Sequence, residues 1–268
     1  MPYVALITGA SSGIGEATAR RLAREPDTKL ILVARRGERL AQLAQEIGGA
    51  GVLALDLTAG DAPAQVAEFV EREHGGVLHL LVNNAGASWR GTFADTGSEN
   101  VERHMALNFD APVRLIEALL PVLRQTAVTW SDPARRVAIV NVASTASRVS
   151  RPGAGAYSAS KFALAGWSDA LFAEERPHGV HVGLVFPGFV RTEGFPAAEL
   201  LAKPHTRLLV AEPEAVAEAI MAAGPGGAAE RYVPRYYWLA AAARILLPRV
   251  VRRGVAGGAF TTSTTQTD

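Results

Sequence analysis

The chain has 268 residues, 49% of them hydrophobic, and a formal net charge of +1. This length and hydrophobic content favour one large α/β domain over two small ones. The near-zero charge, with neither sign in long blocks, excludes the basic surface that nucleic-acid binding requires. The absence of cysteine excludes disulfides and thiol nucleophiles and is typical of the cytoplasm. Residues 1–8 contain no basic leader or long apolar region, so we expect no signal peptide.

Short apolar segments rich in β-branched residues alternate with amphipathic segments along the first 190 residues. Because the apolar runs are continuous, they predict parallel strands that are buried on both faces. The intervening segments predict helices, for example over Gly13–Arg24 and Arg39–Ile47. The order indicates an α/β fold with one doubly wound parallel sheet of the Rossmann type, flanked by helices on both faces. The predicted strands are Tyr3–Thr8, Leu30–Ala34, Val52–Asp56, Leu78–Asn83, Val137–Val142 and Val180–Phe186.

A glycine-rich turn, Thr8-Gly9-Ala10-Ser11-Ser12-Gly13-Ile14-Gly15, joins the first strand to the first helix. Glycines let the backbone approach a ligand closely, and the free N–H groups of a helix start favour a pyrophosphate. The spacing differs from the general G-x-G-x-x-G fingerprint of dinucleotide binding, and in isolation such a turn is equally compatible with a simple tight turn. The candidate phosphate-binding residues are Gly9, Ser11, Ser12, Gly13, Ile14 and Gly15.

Two arginines, Arg35 and Arg36, follow the second strand, where an NAD-binding protein usually carries an acidic residue for the ribose hydroxyls. A guanidinium matches the geometry of a phosphate, so these residues favour NADP(H) over NAD(H), with Ser11 or Ser12 contributing a hydroxyl. The alternative is that both arginines are ordinary solvent-exposed residues at a strand end.

Polar residues also follow the third and fourth predicted strands. Asp56 is placed to accept a hydrogen bond from an adenine amino group, with Leu57 beside it. Asn84, Ala85 and Gly86 follow the fourth strand, so they meet the same carboxyl edge of the sheet, where such folds bind ligands. Taken alone, Asn83 and Asn84 are equally consistent with an ordinary turn.

Tyr157 and Lys161 stand four residues apart in a predicted helix, so their side chains share one face. A free tyrosine with a pKa near ~10 is a poor base at neutral pH, and a neighbouring ammonium favours the phenolate. Ser144 lies at the end of the fifth predicted strand, where its hydroxyl can polarise a substrate carbonyl in the same crevice. By itself, Ser144 is equally an ordinary loop serine.

Together these motifs resemble those of the short-chain dehydrogenase/reductase family over roughly residues 3 to 235. The resemblance implies direct hydride transfer between a nicotinamide and a carbonyl or alcohol, with Tyr157 as proton donor and acceptor and no metal. It also implies a homodimer or homotetramer. The catalytic residues it implies are Asn108, Ser144, Tyr157 and Lys161. The nicotinamide-end residues it implies are Pro187, Gly188, Val190 and Thr192, and Tyr157 and Lys161 also contact the cofactor.

We expect residues 1–253 to form a single domain, followed by a mobile tail at 254–268. A flap over the substrate is predicted at about 189–210. Residues 235–253 carry five arginines, no acidic residue and an apolar body, and they are too short to span a bilayer. This segment is predicted to cover the cleft or join subunits, because apolar stripes usually bury against protein, with peripheral membrane contact as the alternative.

Two other functions remain possible from the sequence. A catalytically silent NADP-binding sensor or scaffold would keep the fold without turnover, but the complete set of catalytic residues argues against it. A nucleotide-sugar epimerase or dehydratase normally needs a larger C-terminal substrate domain than the about 80 residues that follow the sixth predicted strand.

Overall fold

The computed structural model describes residues 1–193 and 207–257. Its main sheet has seven parallel strands in the order β3-β2-β1-β4-β5-β6-β9. These strands are β1 Tyr3–Thr8, β2 Thr28–Ala34, β3 Gly51–Ala54, β4 Leu80–Asn83, β5 Ala138–Val142, β6 His181–Pro187 and β9 Glu230–Val233. Two short strands, β7 Phe189–Val190 and β8 Val210–Ala211, pair in parallel outside this sheet.

Nine α-helices lie in the described part of the chain. They are α1 Gly13–Leu22, α2 Gly37–Glu46, α3 Ala62–His74, α4 Phe93–Met105, α5 Ala111–Thr129, α6 Gly155–Glu175, α7 Pro213–Ala223, α8 Trp238–Leu246 and α9 Pro248–Ala256. A π-helical turn, Ala106–Asp110, connects α4 to α5.

Helices cover both faces of the sheet because the central strands are apolar on both faces. Every residue of β1, β4 and β5 is buried. Ile7, Leu32 and Val140 point into one hydrophobic cluster together with residues of α1 and α7. Their neighbours Leu6 and Ile139 point into a second cluster with residues of α3 and α5. The predicted doubly wound parallel sheet is therefore confirmed.

The structure differs from the sequence prediction mainly at element ends. Strand β9 was not predicted, because Glu230–Val233 is short and contains two charged residues. Strand β3 ends at Ala54, so Asp56 lies in the loop beyond the strand and not at its end. Helix α1 ends at Leu22, two residues before the predicted end, and α2 begins at Gly37, two residues before the predicted start.

The strand order reverses beside β1, which pairs with β2 on one side and β4 on the other. This reversal opens a crevice at the carboxyl ends of the strands, where ligands bind in such sheets. Of the predicted flap, residues 194–206 lie outside the described part of the chain, as do residues 258–268 of the predicted tail. Within the described residues, no helix is both long enough and apolar enough to cross a membrane.

Candidate functional site

A cavity of about 940 Å³ lies at the carboxyl edge of the sheet. Nearly all of the predicted site residues line it, although they come from segments far apart in the sequence. The two that do not are Gly15 and Asn108, and both lie directly behind lining residues.

The glycine loop is held in a shape that larger residues would prevent. Gly9 and Gly13 have φ angles of +66° and +56°, in the left-handed region that favours glycine. A Cβ atom on Gly15 would lie 2.2 Å from the Gly9 carbonyl oxygen. Gly15 therefore supports the loop from behind, while the backbone of Gly9 and Gly13 faces the cavity.

Asn84 fastens the glycine loop to the neighbouring strand end. Its Nδ2 donates to the Thr8 carbonyl oxygen at 2.9 Å. The Thr8 Oγ1 accepts hydrogen bonds from the backbone N–H groups of Asn84 and Ala85, both at 3.0 Å. The Asn84 side chain thus joins the end of β4 to the end of β1 by a hydrogen bond. The sequence alone does not indicate this hydrogen bond.

Arg36 extends from the end of β2 to the glycine loop. Its Nε donates to Ser11 Oγ at 3.1 Å and its Nη2 donates to Ser12 Oγ at 2.6 Å. Glu193 bridges Arg36 and Arg39, with N–O distances of 3.1 and 2.6 Å. Hydrogen bonds from Arg39 and then Arg36 lower the pKa of the Glu193 carboxyl. Sequence reasoning missed both Arg39, which lies in a helix, and Glu193, which is distant along the chain.

Asp56 lines the cavity together with Arg35 and Arg36. Its Oδ1 accepts from the Thr58 N–H at 2.9 Å and from the Thr58 hydroxyl at 2.8 Å. These two hydrogen bonds lower the pKa of Asp56, and the positive charge of Arg35 lowers it further. Asp56 is therefore ionised at neutral pH. Leu57 follows it with 9% of its surface exposed and also lines the cavity.

Ser144, Tyr157 and Lys161 meet at the other end of the cavity. Ser144 caps the short turn Thr145–Ser147 by accepting a hydrogen bond from the Ala146 N–H at 3.1 Å. Lys161 Nζ donates to the Val142 carbonyl oxygen at 2.8 Å, and burial lowers the pKa of Lys161 to about 8. The end of β5 and the first turns of α6 thus bring the three side chains together.

The hydroxyl of Tyr157 experiences opposing effects. Burial raises its pKa, whereas a hydrogen bond with Ser144 and the positive charges of Arg151 and Arg90 lower it. The four-residue spacing predicted Lys161 as the cause of this lowering, but the cations that lower the pKa in the structure are Arg151 and Arg90. Both arginines lie in loops and show no regular spacing relative to Tyr157, so the sequence did not indicate them.

Asn108 is buried in the π-helical turn and holds the loop after β4. Its Oδ1 accepts from the Ala87 N–H at 3.0 Å, and its Nδ2 donates to the Ala87 carbonyl oxygen at 2.9 Å. A Cβ atom on Gly86 would lie 3.0 Å from Asn108 Oδ1 and 3.4 Å from Lys161 Nζ. Gly86 therefore leaves room for the Asn108 and Lys161 side chains on the same side of this loop.

The C-terminal segment closes one side of the cavity. Tyr237, Ala240 and Ala241 line it, and a Cβ atom on Gly188 would lie 2.4 Å from the Tyr237 ring. Tyr237 Oη donates to the Leu209 carbonyl oxygen at 3.0 Å. The aromatic and apolar composition of residues 235–253 was the sequence signal for this arrangement.

A family model for short chain dehydrogenases matches residues 3–199. The chain is 34% identical over 199 residues to dehydrogenase/reductase SDR family member 7B of Bos taurus, covering 70% of this chain and 58% of that protein. It is 35% identical over 191 residues to 3-ketodihydrosphingosine reductase of Bacteroides thetaiotaomicron, covering 71% and 65%. The matched region thus spans less than two thirds of the length of these two relatives.

Solved structures resemble most of the chain. A short-chain dehydrogenase from Streptomyces avermitilis superposes with a TM-score of 0.73 and 31% identity, covering 95% of this chain and 98% of that one. An alcohol dehydrogenase from Thermococcus sibiricus in complex with 5-hydroxy-NADP gives a TM-score of 0.70 and 27% identity, covering 82% and 89%. Because the family model matches well over half of the sequence, the chain belongs to the short-chain dehydrogenase/reductase family.

Proposed function

We propose that this protein is an NADP(H)-dependent oxidoreductase that interconverts a carbonyl and an alcohol, with Tyr157 as the general acid and base. The observation that carries this proposal is that Tyr157, Ser144 and Lys161 line the same cavity as the glycine loop. One end of the cavity offers backbone N–H groups and arginines for phosphates. The other offers a proton donor beside a hydroxyl that can hold a substrate oxygen.

The phosphate end fits the charged parts of NADP(H). The glycine loop and the start of α1 would hold the pyrophosphate through Gly13, Ser11 and Ser12, because free N–H groups there favour anions. Arg36 lies against both serine hydroxyls, and Arg39 contacts the same carboxylate as Arg36. We infer that Arg35, Arg36 and Arg39 recognise the 2′-phosphate, as guanidinium groups suit phosphate oxygens.

The remaining predicted contacts follow the length of the cavity. Asp56 and Leu57 would hold the adenine, and Pro187, Gly188, Val190 and Thr192 would hold the nicotinamide and adjoining phosphates. A Cβ atom on Gly13 would lie 3.0 Å from Thr192 Cγ2, so Thr192 adjoins the glycine loop. This proximity supports a place for its hydroxyl near the phosphates.

When bound, the nicotinamide supplies or accepts the hydride. Ser144 donates a hydrogen bond to the substrate oxygen, and Tyr157 gives that oxygen a proton during reduction. Burial favours the neutral, proton-donating form of Tyr157, which suits reduction at neutral pH. In alcohol oxidation Tyr157 removes the proton, a step that nearby positive charge favours. Asn108 fixes the loop in front of Lys161 and acts as a positioning residue.

The first test is a titration of the full chain with NADPH and NADH, followed by a panel of aldehydes, ketones and alcohols monitored by nicotinamide absorbance. The panel includes lipophilic ketones, since one relative is named 3-ketodihydrosphingosine reductase. We expect tighter binding of NADPH and turnover of some carbonyls. If the chain does not bind NADPH, the proposed cofactor site at the glycine loop is refuted, and the proposed function is refuted with it.

Replacement of Tyr157 tests whether the chain is an enzyme or a catalytically silent NADP-binding sensor. Tyr157→Phe is expected to lower kcat by roughly 100- to 10,000-fold while NADPH binding stays nearly unchanged, because the phenol acts in proton transfer. Tyr236→Phe is the matched control, because Tyr236 is exposed and lies outside the cavity lining. Substantial turnover by Tyr157→Phe would exclude its proposed role.

We also propose a cytoplasmic homodimer or homotetramer, in keeping with the family. Phe93 and Phe162 expose 72% and 44% of their surfaces, and burial of such side chains between subunits would be favourable. Light scattering of the purified chain would measure the assembly, and a mass equal to one chain would refute this proposal.

A further inference from the structure

The two C-terminal helices expose most of their large apolar side chains. Leu246 and Ile245 have exposed fractions of 76% and 75%, and Trp238 has 54%. Ala241 is the one buried residue of α8, and α9 has none. Large apolar residues on a water-facing surface are unfavourable when contiguous, so such a surface indicates a binding partner. We call it the apolar patch, and it comprises Trp238, Leu239, Ile245, Leu246, Leu247 and Val250.

Positive charge surrounds the apolar patch. The five arginines of the segment are Arg235, Arg244, Arg249, Arg252 and Arg253, and residues 231–257 contain no Asp or Glu. Four of the five are exposed, and Arg244 is half-buried. The segment therefore combines an apolar face with cations and contains no acid of its own, although the whole chain has a net charge of only +1.

We propose that the apolar patch and its arginines bind the surface of a bilayer that contains anionic lipids. In such an interface the apolar side chains enter the boundary between headgroups and acyl chains, and the guanidinium groups reach the lipid phosphates. Two short helices that meet at Pro248 lie along a surface more readily than they enter it, since neither is long enough to span a bilayer.

Charge argues against a second copy of this chain as the partner. A two-fold symmetric contact places the same patch of both subunits face to face. Arginines would then oppose arginines without an acidic residue in either segment to pair with them. An anionic lipid surface supplies the missing negative charge, and each arginine near it strengthens binding.

The apolar patch also adjoins the cavity, because Tyr237, Ala240 and Ala241 of the same segment line its wall. Membrane binding would therefore bring the cavity next to the lipid surface, from which a lipophilic carbonyl could enter. This consequence rests on the proposed function. The binding itself does not, and it is tested without cofactor or substrate.

The test is sedimentation of the full chain with vesicles of phosphatidylcholine alone or of phosphatidylcholine with phosphatidylglycerol at seven to three. We expect at least roughly tenfold stronger binding to the anionic vesicles, given five arginines at the surface. Because exposed charges are screened by salt, this binding should weaken as the NaCl concentration rises. Retention of the full chain in the supernatant with anionic vesicles would overturn the proposal.

Matched variants distinguish binding through the C-terminal segment from a general effect of the net charge of the protein. The triple variant R249E/R252E/R253E should lose most of the binding. R24E/K29E/R176E changes the net charge equally at exposed positions outside the segment and should retain more of it. For the apolar component, L246Q should weaken binding and V128Q, at another exposed apolar position, should not. Circular dichroism confirms that each variant is folded.

Two results would contradict the assignment to this surface. Equal losses in both triple variants would show that net charge, and not the C-terminal segment, governs binding. A change of molecular mass in R249E/R252E/R253E, measured by light scattering and accompanied by no vesicle binding of the parent chain, would identify the segment as an interface between copies.

Discussion

Tyr157 has two charged neighbours that its sequence motif does not reveal. The four-residue spacing predicts Lys161 on the same helix face, and the structure brings both residues to the cavity. The positive charges of Arg151 and Arg90 nevertheless lower the pKa of Tyr157. They come from loops after β4 and β5, so only the fold brings them near the phenol. A local motif predicts which residues are neighbours on one helix. Which loop residues lie near the site depends on how the whole chain folds, so a local motif does not predict them.

Removal of one of these charges should shift the pH dependence of alcohol oxidation. In the proposed mechanism, oxidation requires Tyr157 as a base, so activity should rise as the pH passes the pKa of Tyr157. In Arg151→Gln the charge that lowers this pKa is absent, so the pKa rises and the rising limb moves to higher pH. Arg148→Gln is the control, since Arg148 lines the cavity but pairs with Glu230. Profiles of kcat against pH measure the shift, and identical profiles for Arg151→Gln and the parent would refute this reasoning.

Glu193 bridges Arg36 and Arg39, the two arginines that are proposed to bind a 2′-phosphate. A bound phosphate must compete with this carboxylate for the same guanidinium groups. We therefore expect Glu193→Gln to bind NADPH roughly two- to fivefold more tightly, as an exposed ion pair contributes at most about 1 kcal/mol. NADH affinity should change little, because NADH lacks the phosphate.

The control for Glu193→Gln is Glu212→Gln, which breaks a comparable exposed pair with Arg191. Fluorescence titration of both variants with both cofactors makes the comparison. Weaker NADPH binding by Glu193→Gln would indicate that the carboxylate organises the arginines for the phosphate and does not compete with it.

Element types were largely predictable because hydrophobic periodicity reflects burial on both faces of the sheet. The six predicted strands all exist, with ends displaced by up to two residues. Strand β9 escaped prediction because Glu230–Val233 lies at the sheet edge, where Arg231 is exposed and the apolar run is interrupted. The π-helical turn that holds Asn108 has no sequence signature comparable to a cap or a glycine. The hydrophobic pattern therefore did not predict the edge strand β9 or the π-helical turn.

Helix α7 packs directly against strand β6 through a glycine. A Cβ atom on Gly183 would lie 2.1 Å from the Ala223 carbonyl oxygen. This oxygen belongs to the backbone, which cannot move away as easily as the end of a flexible side chain. We expect Gly183→Ala to lower the free energy of unfolding by about 1 to 3 kcal/mol, as overpacking of a well-filled interior does. Urea denaturation measures the loss.

The matched control is Gly166→Ala, the same substitution in α6. Gly166 is exposed, and a Cβ atom there would meet nothing within 4 Å. Alanine is favoured over glycine inside a helix by about 1 kcal/mol, so this variant should gain stability. Equal stabilities of the two variants would contradict the close packing of α7 on β6.

At the scale of the whole molecule, the site exists because the parallel sheet gathers the ends of separate strands at one edge. The glycine loop, Asp56, Asn84 and Ser144 each follow a different strand, and the order of strands makes them neighbours. This convergence was predictable from the alternation of strands and helices. The apolar composition of residues 235–253 likewise favoured a contact with the cleft or with another subunit, and Tyr237, Ala240 and Ala241 line the cavity. No periodicity indicated how the two short helices would pack there, or that most of their large apolar side chains would stay exposed.

Since the proposed cofactor contacts extend over the whole cavity, we expect binding of NADPH to stabilise the entire fold. A ligand at about 100 times its Kd raises the free energy of unfolding by about 2.7 kcal/mol. For a chain of this size the Tm should then rise by about 5 to 10 °C. At equal concentration NADH should give a smaller rise, and Arg36→Ala should remove most of the difference between the two cofactors. Thermal unfolding followed by circular dichroism measures these shifts. If NADH raised the Tm of the parent chain as much as NADPH did, the arginines at the end of β2 would not distinguish the cofactors, and the proposed preference for NADP(H) would be wrong.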